Sequence, residues 1–338
     1  VTLLDKQVAI WKQKGWLFGL HIDLTYRCPL QCKHCYLQGR KRTAELTTEQ
    51  LFVLLEQAEA LHVSALTLSG GEILVRTDLD EILTEAQRLG FVVLLKTSGF
   101  GATSKTASTF AQKGVKGVDI SLYSHTAQSH DALTKVEGSF DASTSLILQL
   151  QDAGVPVQAA LTPMPGYCDD PRITVAELKR AGIHNIKTNS VSDAFCDGAN
   201  ISQLLPDEAI VQRQLEASGA WPPTTPQPHD PQQRPCGAGS RELYVAPDGN
   251  IWPCPGLPIS VGRFPEQSLE EIWKHSPQLK EIQEIRWKDL PQCSQCDLSP
   301  YCHFCMGKAF HEHGDFRAPA QELCRYAGIL KRLTEGKS

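Results

Sequence analysis

Six short apolar runs alternate with helical stripes over more than half of this chain, and no other feature limits the fold as much. The first run, Leu20 to Tyr26, is apolar and β-prone. Thr47 and Gln50 then form a capping-box pattern ahead of Leu51, Leu54, Leu55, Ala58 and Leu61, which share one helix face. Val63 to Leu68 reads as a buried strand, and Asp78 with Glu81 opens a helix that Gly90 closes. Strands are expected again at Phe91 to Thr97, Val118 to Tyr123, Val155 to Leu161 and Ile183 to Asn189, with helices near 103–113, 141–153 and 173–181. Buried strands in such a series pair in parallel through right-handed crossovers. The expected fold is α/β: an open, partial (β/α)6 TIM-like barrel.

In such barrels the loops after the strands share one face, where chemistry is assembled. The motifs fall there. Cys28-Pro-Leu-Gln-Cys32-Lys-His-Cys35 follows the first run, Ser69-Gly70-Gly71-Glu72 the second and Thr97-Ser98-Gly99 the third. Ser121-Leu-Tyr-Ser124 ends the fourth, and Thr162-Pro-Met164 and Asn189-Ser190 follow the last two. Three soft ligands converging in one tight loop suit an iron-sulfur cluster whose last iron is left open. On spacing alone a zinc site lacking one ligand, or three unrelated thiols, stays in play.

No stretch of about 18 apolar residues exists, so no membrane span is expected. Val1 to Leu20 scatters Asp5, Lys6, Lys12 and Lys14 where a signal peptide would have an apolar core. The expected location is cytoplasmic, where reducing conditions turn clustered cysteines into metal ligands or catalysts rather than disulfides. Of twelve cysteines, three lie between 28 and 35 and seven between 236 and 324, leaving Cys168 and Cys196 apart. Those two are expected in loops on the active face, where a thiol can return a hydrogen atom to a radical or lie inert; the inert reading is favoured. A net charge of −5 offers no basic footprint, so neither nucleic acid nor membrane is expected as a partner.

A C-x3-C-x2-C loop after an N-terminal strand, with an aromatic or imidazole side chain (here His34) before the last cysteine, resembles the signature of radical S-adenosylmethionine (SAM) enzymes. The resemblance implies that Cys28, Cys32 and Cys35 hold a [4Fe-4S] cluster whose open iron is chelated by the methionine end of SAM. Reductive cleavage then yields a 5'-deoxyadenosyl radical that takes a hydrogen atom from the substrate, while the protein aims and shelters it. It also assigns Gly70, Gly71 and Glu72 to the methionine amino group. Ser98, Ser121 and Ser124 become candidates for the ribose hydroxyls or the methionine carboxylate, although loop serines often bond their own backbone.

Residues 221–235 hold six prolines and no apolar periodicity, so a linker is placed there. The organisation expected is a lead-in over 1–19, the barrel over 20–220, the linker, and a small cysteine-rich α+β domain over 236–338. In that domain Pro247-Asp-Gly-Asn250 between apolar stretches signals a β-hairpin flanked by Cys236 and Cys254. Two short helices should follow, the first capped by Ser268 with Glu271. Then come Cys293-x2-Cys296-x5-Cys302-x2-Cys305, and last Cys324. Paired C-x2-C motifs also suit zinc, but five residues between the pairs strain one tetrahedral site. Beside the N-terminal loop, the whole pattern resembles the SPASM extension of radical enzymes, which carries two auxiliary [4Fe-4S] clusters. The resemblance gives Cys293, Cys296, Cys302 and Cys324 to an outer cluster and Cys236, Cys254 and Cys305 to an inner one, making three clusters in all. It departs from the family at the last x2 gap, where x3 is common, and in offering no fourth cysteine between Cys236 and Cys254. His303, His311 and His313 lie near, with a surface role the favoured reading.

Enzymes of this kind act mostly on ribosomally made peptides, forming thioether or carbon-carbon cross-links or altering stereochemistry. A peptide maturase is therefore the expected function, with an external electron donor such as flavodoxin or ferredoxin. About twenty residues precede the first strand, too few for a leader-binding module, so a separate leader-binding protein is expected if a leader is read. Sulfatase maturation fits less well, since Pro255 stands where those members carry an Asp. Tetrapyrrole or quinone-cofactor biosynthesis is an alternative, because a barrel does not select a substrate. An electron carrier or zinc-stabilised binding module is the non-enzymatic one.

Overall fold

The computed structural model describes residues 14–37, 44–189, 201–221, 226 and 228–336. Cys196, Ser190, the first thirteen residues and part of the proline-rich stretch lie outside the described residues.

Strands β1 (Gly19–Asp23), β2 (Ala65–Ser69), β3 (Val92–Thr97), β4 (Gly117–Leu122), β5 (Val157–Leu161) and β6 (Ile186–Thr188) pair in sequence order and in parallel. Helices α1 (Thr48–Ala60), α2 (Leu79–Arg88), α3 (Thr106–Gln112), α4 (Ala127–Thr134), α5 (Ser139–Asp152) and α6 (Pro171–Arg180) connect them. This is the expected α/β partial barrel. Because side chains alternate along a strand, one set faces the helices: Leu20, Ile22, Leu66, Leu68, Val93, Leu95, Val118 and Ile120 share one core with Leu54, Leu55, Ile82, Leu83, Ile147 and Leu150. Each such Leu or Ile contributes about 1.5–3 kcal/mol by leaving water. The other set faces inward and is partly open; Val92 and Leu94 keep 43% and 39% of their surface exposed.

Several boundaries differ from the sequence expectation. Helix α4 was not expected; Thr126 caps it, accepting a bond from the Ser129 amide. Strand β6 is three residues long, because Ile183 is spent on the helix-side core after the Gly182 turn. Thr47 and Gln50 form their capping box on α1. Asp78 precedes α2 but does not cap it, since its carboxylate is taken by Arg76 and Thr48.

Past helix α7 (Glu208–Ala217), strands β7 (Glu242–Val245) and β8 (Asn250–Trp252) form the hairpin around the Asp-Gly turn, and β9 (Gly262–Arg263) continues it. Strand β7 also pairs in parallel with β1, with His21 opposite Tyr244, so the nine strands of the described residues form one sheet. An unpaired β1 edge would leave its backbone groups unsatisfied, and β7 fills it. Helix α8 (Leu269–His275), with the Ser268–Glu271 capping box, and α9 (Pro277–Glu284) follow as expected. Helices α10 (Met306–His313) and α11 (Gln321–Glu335) close the chain. A second core of Leu257, Ile282, Trp287, Leu290, Phe304 and Met306 packs beside Cys236, Cys254 and Cys293. No helix among the described residues is long and apolar enough to cross a membrane.

Candidate active site

The loop after β1 is held from three sides. Gly71 and Glu72 amides donate to the carbonyls of Thr25 (2.7 Å) and Arg27 (3.0 Å), which fixes the backbone entering Cys28. This approach requires glycine: a Cβ on Gly70 would stand 2.3 Å from the Thr25 oxygen, and one on Gly71 2.4 Å from the Arg27 oxygen. On the far side, Gln31 and Lys33 amides donate to Thr134 and Leu133 at the end of α4, and the Lys33 ammonium donates to the Tyr167 hydroxyl at 2.5 Å. From below, buried Arg76 donates to the Leu24 carbonyl at 2.8 Å.

Cys28, Cys32 and Cys35 lie close enough that the Cys35 charge raises the pKa of Cys28, and Cys35 and Cys28 together raise that of Cys32. Burial is the larger cause, taking Cys28 to about 11 and Cys32 to about 12. Three half-buried thiols crowded together are poor company for one another as thiolates unless a cationic centre joins them. The donor set thus fits a metal cluster. The Leu37 amide points at the Cys35 sulfur at 3.5 Å, a bond that stabilises sulfur charge. His34 packs edge-on to Tyr123, and burial, with His130 nearby, lowers its pKa to about 4, so the ring is neutral.

Glu72 is fully buried, and burial raises its pKa. Its Oε1 accepts from the Leu74 amide (3.1 Å) and the Thr97 hydroxyl, and its Oε2 from both the amide (2.8 Å) and hydroxyl of Ser98. This carboxylate ties the β2 loop to the β3 loop. Ser98 serves Glu72 and the Phe100 amide, while buried Ser124 accepts from its own neighbour, the Thr126 amide. Ser121 lies on β4 in register with Ala160, at an inward position. Cys168 is buried, its thiol donating to Thr174 at 3.4 Å, and burial pushes its pKa to about 11.

In the C-terminal region the seven cysteines fall into two groups by mutual charge. Cys236 and Cys305 act on Cys254, and Cys236 acts on Cys305. Cys293, Cys296, Cys302 and Cys324 form the other set. In both, burial is the first cause of the raised thiol pKa values and the neighbouring thiolates add to it. The Leu298 amide points at the Cys296 sulfur at 3.4 Å.

Sequence reasoning missed four residues here. Arg76, between β2 and α2, is one of them. The others are His21, Asp23 and Tyr244, and the signal that marks them is a polar residue at every second position of a strand whose other positions are apolar, the pattern of an inward face.

An open parallel barrel with three thiols in its first loop is a scaffold suited to an iron-sulfur cluster with one open iron. Residues 22–179 match the family model of the Radical SAM superfamily, and residues 236–297 match SPASM, an iron-sulfur cluster-binding domain. The chain is 30% identical to the PqqA peptide cyclase of Streptomyces rochei, over 94% of both chains. It is similar in fold to Streptococcus suis SuiB bound to precursor peptide SuiA, with a TM-score of 0.75 and 18% identity over 95% of this chain and 79% of that one. It is likewise similar to anSMEcpe with bound AdoMet, with a TM-score of 0.75 and 12% identity over 95% and 97%. The chain belongs to the Radical SAM superfamily, in its SPASM branch: it is an enzyme that uses S-adenosylmethionine and iron-sulfur clusters.

Proposed function

We propose that this enzyme is a peptide maturase, removing hydrogen from a ribosomally made peptide to form a cross-link or a related modification. The observation that carries the reading is the nearly full-length relationship to a peptide cyclase. Cys28, Cys32 and Cys35 hold the radical-generating cluster, which when reduced with SAM supplies the 5'-deoxyadenosyl radical. His34, Gly70, Gly71, Glu72, Ser98, Ser121 and Ser124 shape the cofactor's seat, Glu72 by fixing two loops against each other. Cys293, Cys296, Cys302 and Cys324 hold the outer auxiliary cluster and Cys236, Cys254 and Cys305 the inner one, for three [4Fe-4S] clusters in total. The chain divides into a barrel over 20–220 and a cluster domain over 236–338. We place the enzyme in the cytoplasm, with flavodoxin or ferredoxin as donor and a separate protein reading any leader.

The test is anaerobic reconstitution followed by SAM, reductant and two peptide probes: PqqA and any short peptide found encoded beside this protein's gene. Loss of two hydrogens from a probe, with one 5'-deoxyadenosine formed per event, is the expected result. Cofactor cleavage with both probes unchanged would sink the peptide reading. Iron near twelve per chain supports three clusters; near four, with zinc, it would make the C-terminal region structural.

A further inference from the structure

The inward face of β1 carries an acid-imidazole pair that the cofactor site leaves unused. Leu20 and Ile22 enter the helix-side core, so His21 and Asp23 point the other way. Asp23 is wholly buried. Its Oδ2 accepts from the Tyr244 hydroxyl at 2.7 Å, and that hydroxyl meets the Tyr26 hydroxyl at 3.0 Å, two residues before Cys28. Its Oδ1 lies 3.3 Å from His21 Nε2, and among the described residues neither atom has an aligned hydrogen-bond partner. His21 keeps 15% of its side chain exposed, in register with Thr67 of β2 and Tyr244 of β7. Burying a carboxylate with one oxygen so loosely satisfied costs stability, and an apolar residue would pack there at no such cost. Catalytic hydrogen bonds are often long before substrate is bound. Of the other inward charges, Asp119 is paired with Lys96 at 2.9 Å, and Glu72 is spent on Thr97, Ser98 and Leu74.

We infer that His21, oriented by Asp23, is the base that receives the substrate proton in the second half of the reaction; this rests on the peptide-maturase reading above. Cross-linking removes two hydrogens. The first leaves as an atom to the 5'-deoxyadenosyl radical, and the carbon radical so formed adds to a second site of the peptide. There a C–H bond breaks: its electron pair restores the unsaturated system, the unpaired electron goes to an oxidised iron-sulfur centre as one-electron acceptor, and the proton goes to the ring nitrogen of His21. An imidazole ring offers a basic nitrogen that can accept a proton and pass it on to water. Asp23 is the positioning residue: its Oδ1 faces the ring at Nε2 and attracts it once the ring is charged, leaving the other ring nitrogen for the substrate.

The test compares the holoenzyme with His21→Gln, His21→Ala, Asp23→Asn and Asp23→Glu, using SAM, dithionite and the two peptide probes, deuterated at carbon. Three readouts are taken: iron content with the cluster spectra, deuterium carried into 5'-deoxyadenosine, and modified peptide. The expected result for His21→Gln is unchanged iron and deuterium transfer with modified peptide down about tenfold or more, as removal of a general base gives. Added imidazole should restore part of the product in His21→Ala, and Asp23→Glu should keep more product than Asp23→Asn. Product within twofold of wild type in His21→Gln overturns the assignment. So does parallel loss of deuterium transfer and product, which marks a structural role. Wild type that cleaves SAM but takes no deuterium from either probe removes the peptide reading, and the assignment with it.

Discussion

The α-carbon of Gly70 sits so close to the Thr25 carbonyl that a methyl group there would stand 2.3 Å from its oxygen, and φ at Gly70 is +135°. The glycine is therefore required twice, by space and by backbone. Gly70→Ala should cost about 3 kcal/mol or more, combining overpacking with a strained backbone. Since Thr25 leads directly into Cys28, the expected outcome is a lower thermal midpoint and loss of the first cluster's iron. Gly166→Ala is the control, with φ +78° but nothing within 4 Å. It should cost about 1 kcal/mol and keep its iron. Equal behaviour of the two variants would refute the close-approach argument.

Arg76 and Asp78 make the clamp beneath the same loop. The guanidinium donates Nε to Oδ1 at 2.8 Å and Nη2 to Oδ2 at 2.5 Å, and Thr48 donates to Oδ2 at 2.6 Å. Arg76 above all, then Thr48, hold the Asp78 carboxyl down to about 2 against the opposing effect of burial. An unfolded aspartate titrates near 3.9, so the folded pKa is the lower one. The stabilisation is then complete above about pH 4 and fades as pH falls through about 2. Asp78→Asn should cost about 1–2 kcal/mol near pH 7, discounted for partial solvent exposure. The unfolding midpoints of variant and wild type should stay apart by a constant amount down to about pH 4 and converge below it. A gap independent of pH throughout would show that the charge does not matter.

Local chemistry was legible in the sequence, and long-range pairing was not. The capping boxes at Thr47–Gln50 and Ser268–Glu271 and the Asp248-Gly249 turn formed as read, because each involves neighbours a few residues apart. The Tyr244–Asp23 bond joins residues 221 apart in sequence, and nothing local in Glu242–Val245 says that its partner is β1. Arg76 was invisible for the same reason: its acceptors, the carbonyls of Leu24 and Leu46, are backbone atoms brought in by the fold. The cysteine motifs could be read because the chemistry demands both a residue type and a spacing. Glu72 was legible as a site residue but not in its bonds, since Thr97 and Ser98 reach it only across the sheet.

Cys168 follows β5 and belongs to none of the three cysteine groups. It is 3% exposed, packed with Leu161 and Val175 and bonded to Thr174, and burial keeps it protonated. A reactive thiol sits in an exposed, electropositive place, which this is not. Cys168→Ala should lower stability by about 1 kcal/mol and leave 5'-deoxyadenosine formation within twofold. Loss of peptide product with intact cofactor cleavage would instead make Cys168 a hydrogen donor to the substrate.

The two C-terminal thiol groups should come apart independently. Cys305 is influenced by Cys236 and itself acts on Cys254, whereas Cys324 is influenced by Cys296 and acts on Cys293 and Cys302. Cys305→Ala and Cys324→Ala should therefore each lose about four irons, and the double variant about eight, if each group holds one cubane. The two groups are nevertheless joined through the Lys308–Glu322 pair at 2.7 Å, which links α10 to α11. A single cluster or zinc centre shared by both groups would make the two losses identical rather than additive. Replacing Cys28, Cys32 and Cys35 together by Ala should leave both auxiliary sites filled while abolishing 5'-deoxyadenosine. Cofactor cleavage persisting in that triple variant would mean that the radical arises elsewhere, and iron quantified alongside 5'-deoxyadenosine in the same samples decides between these outcomes.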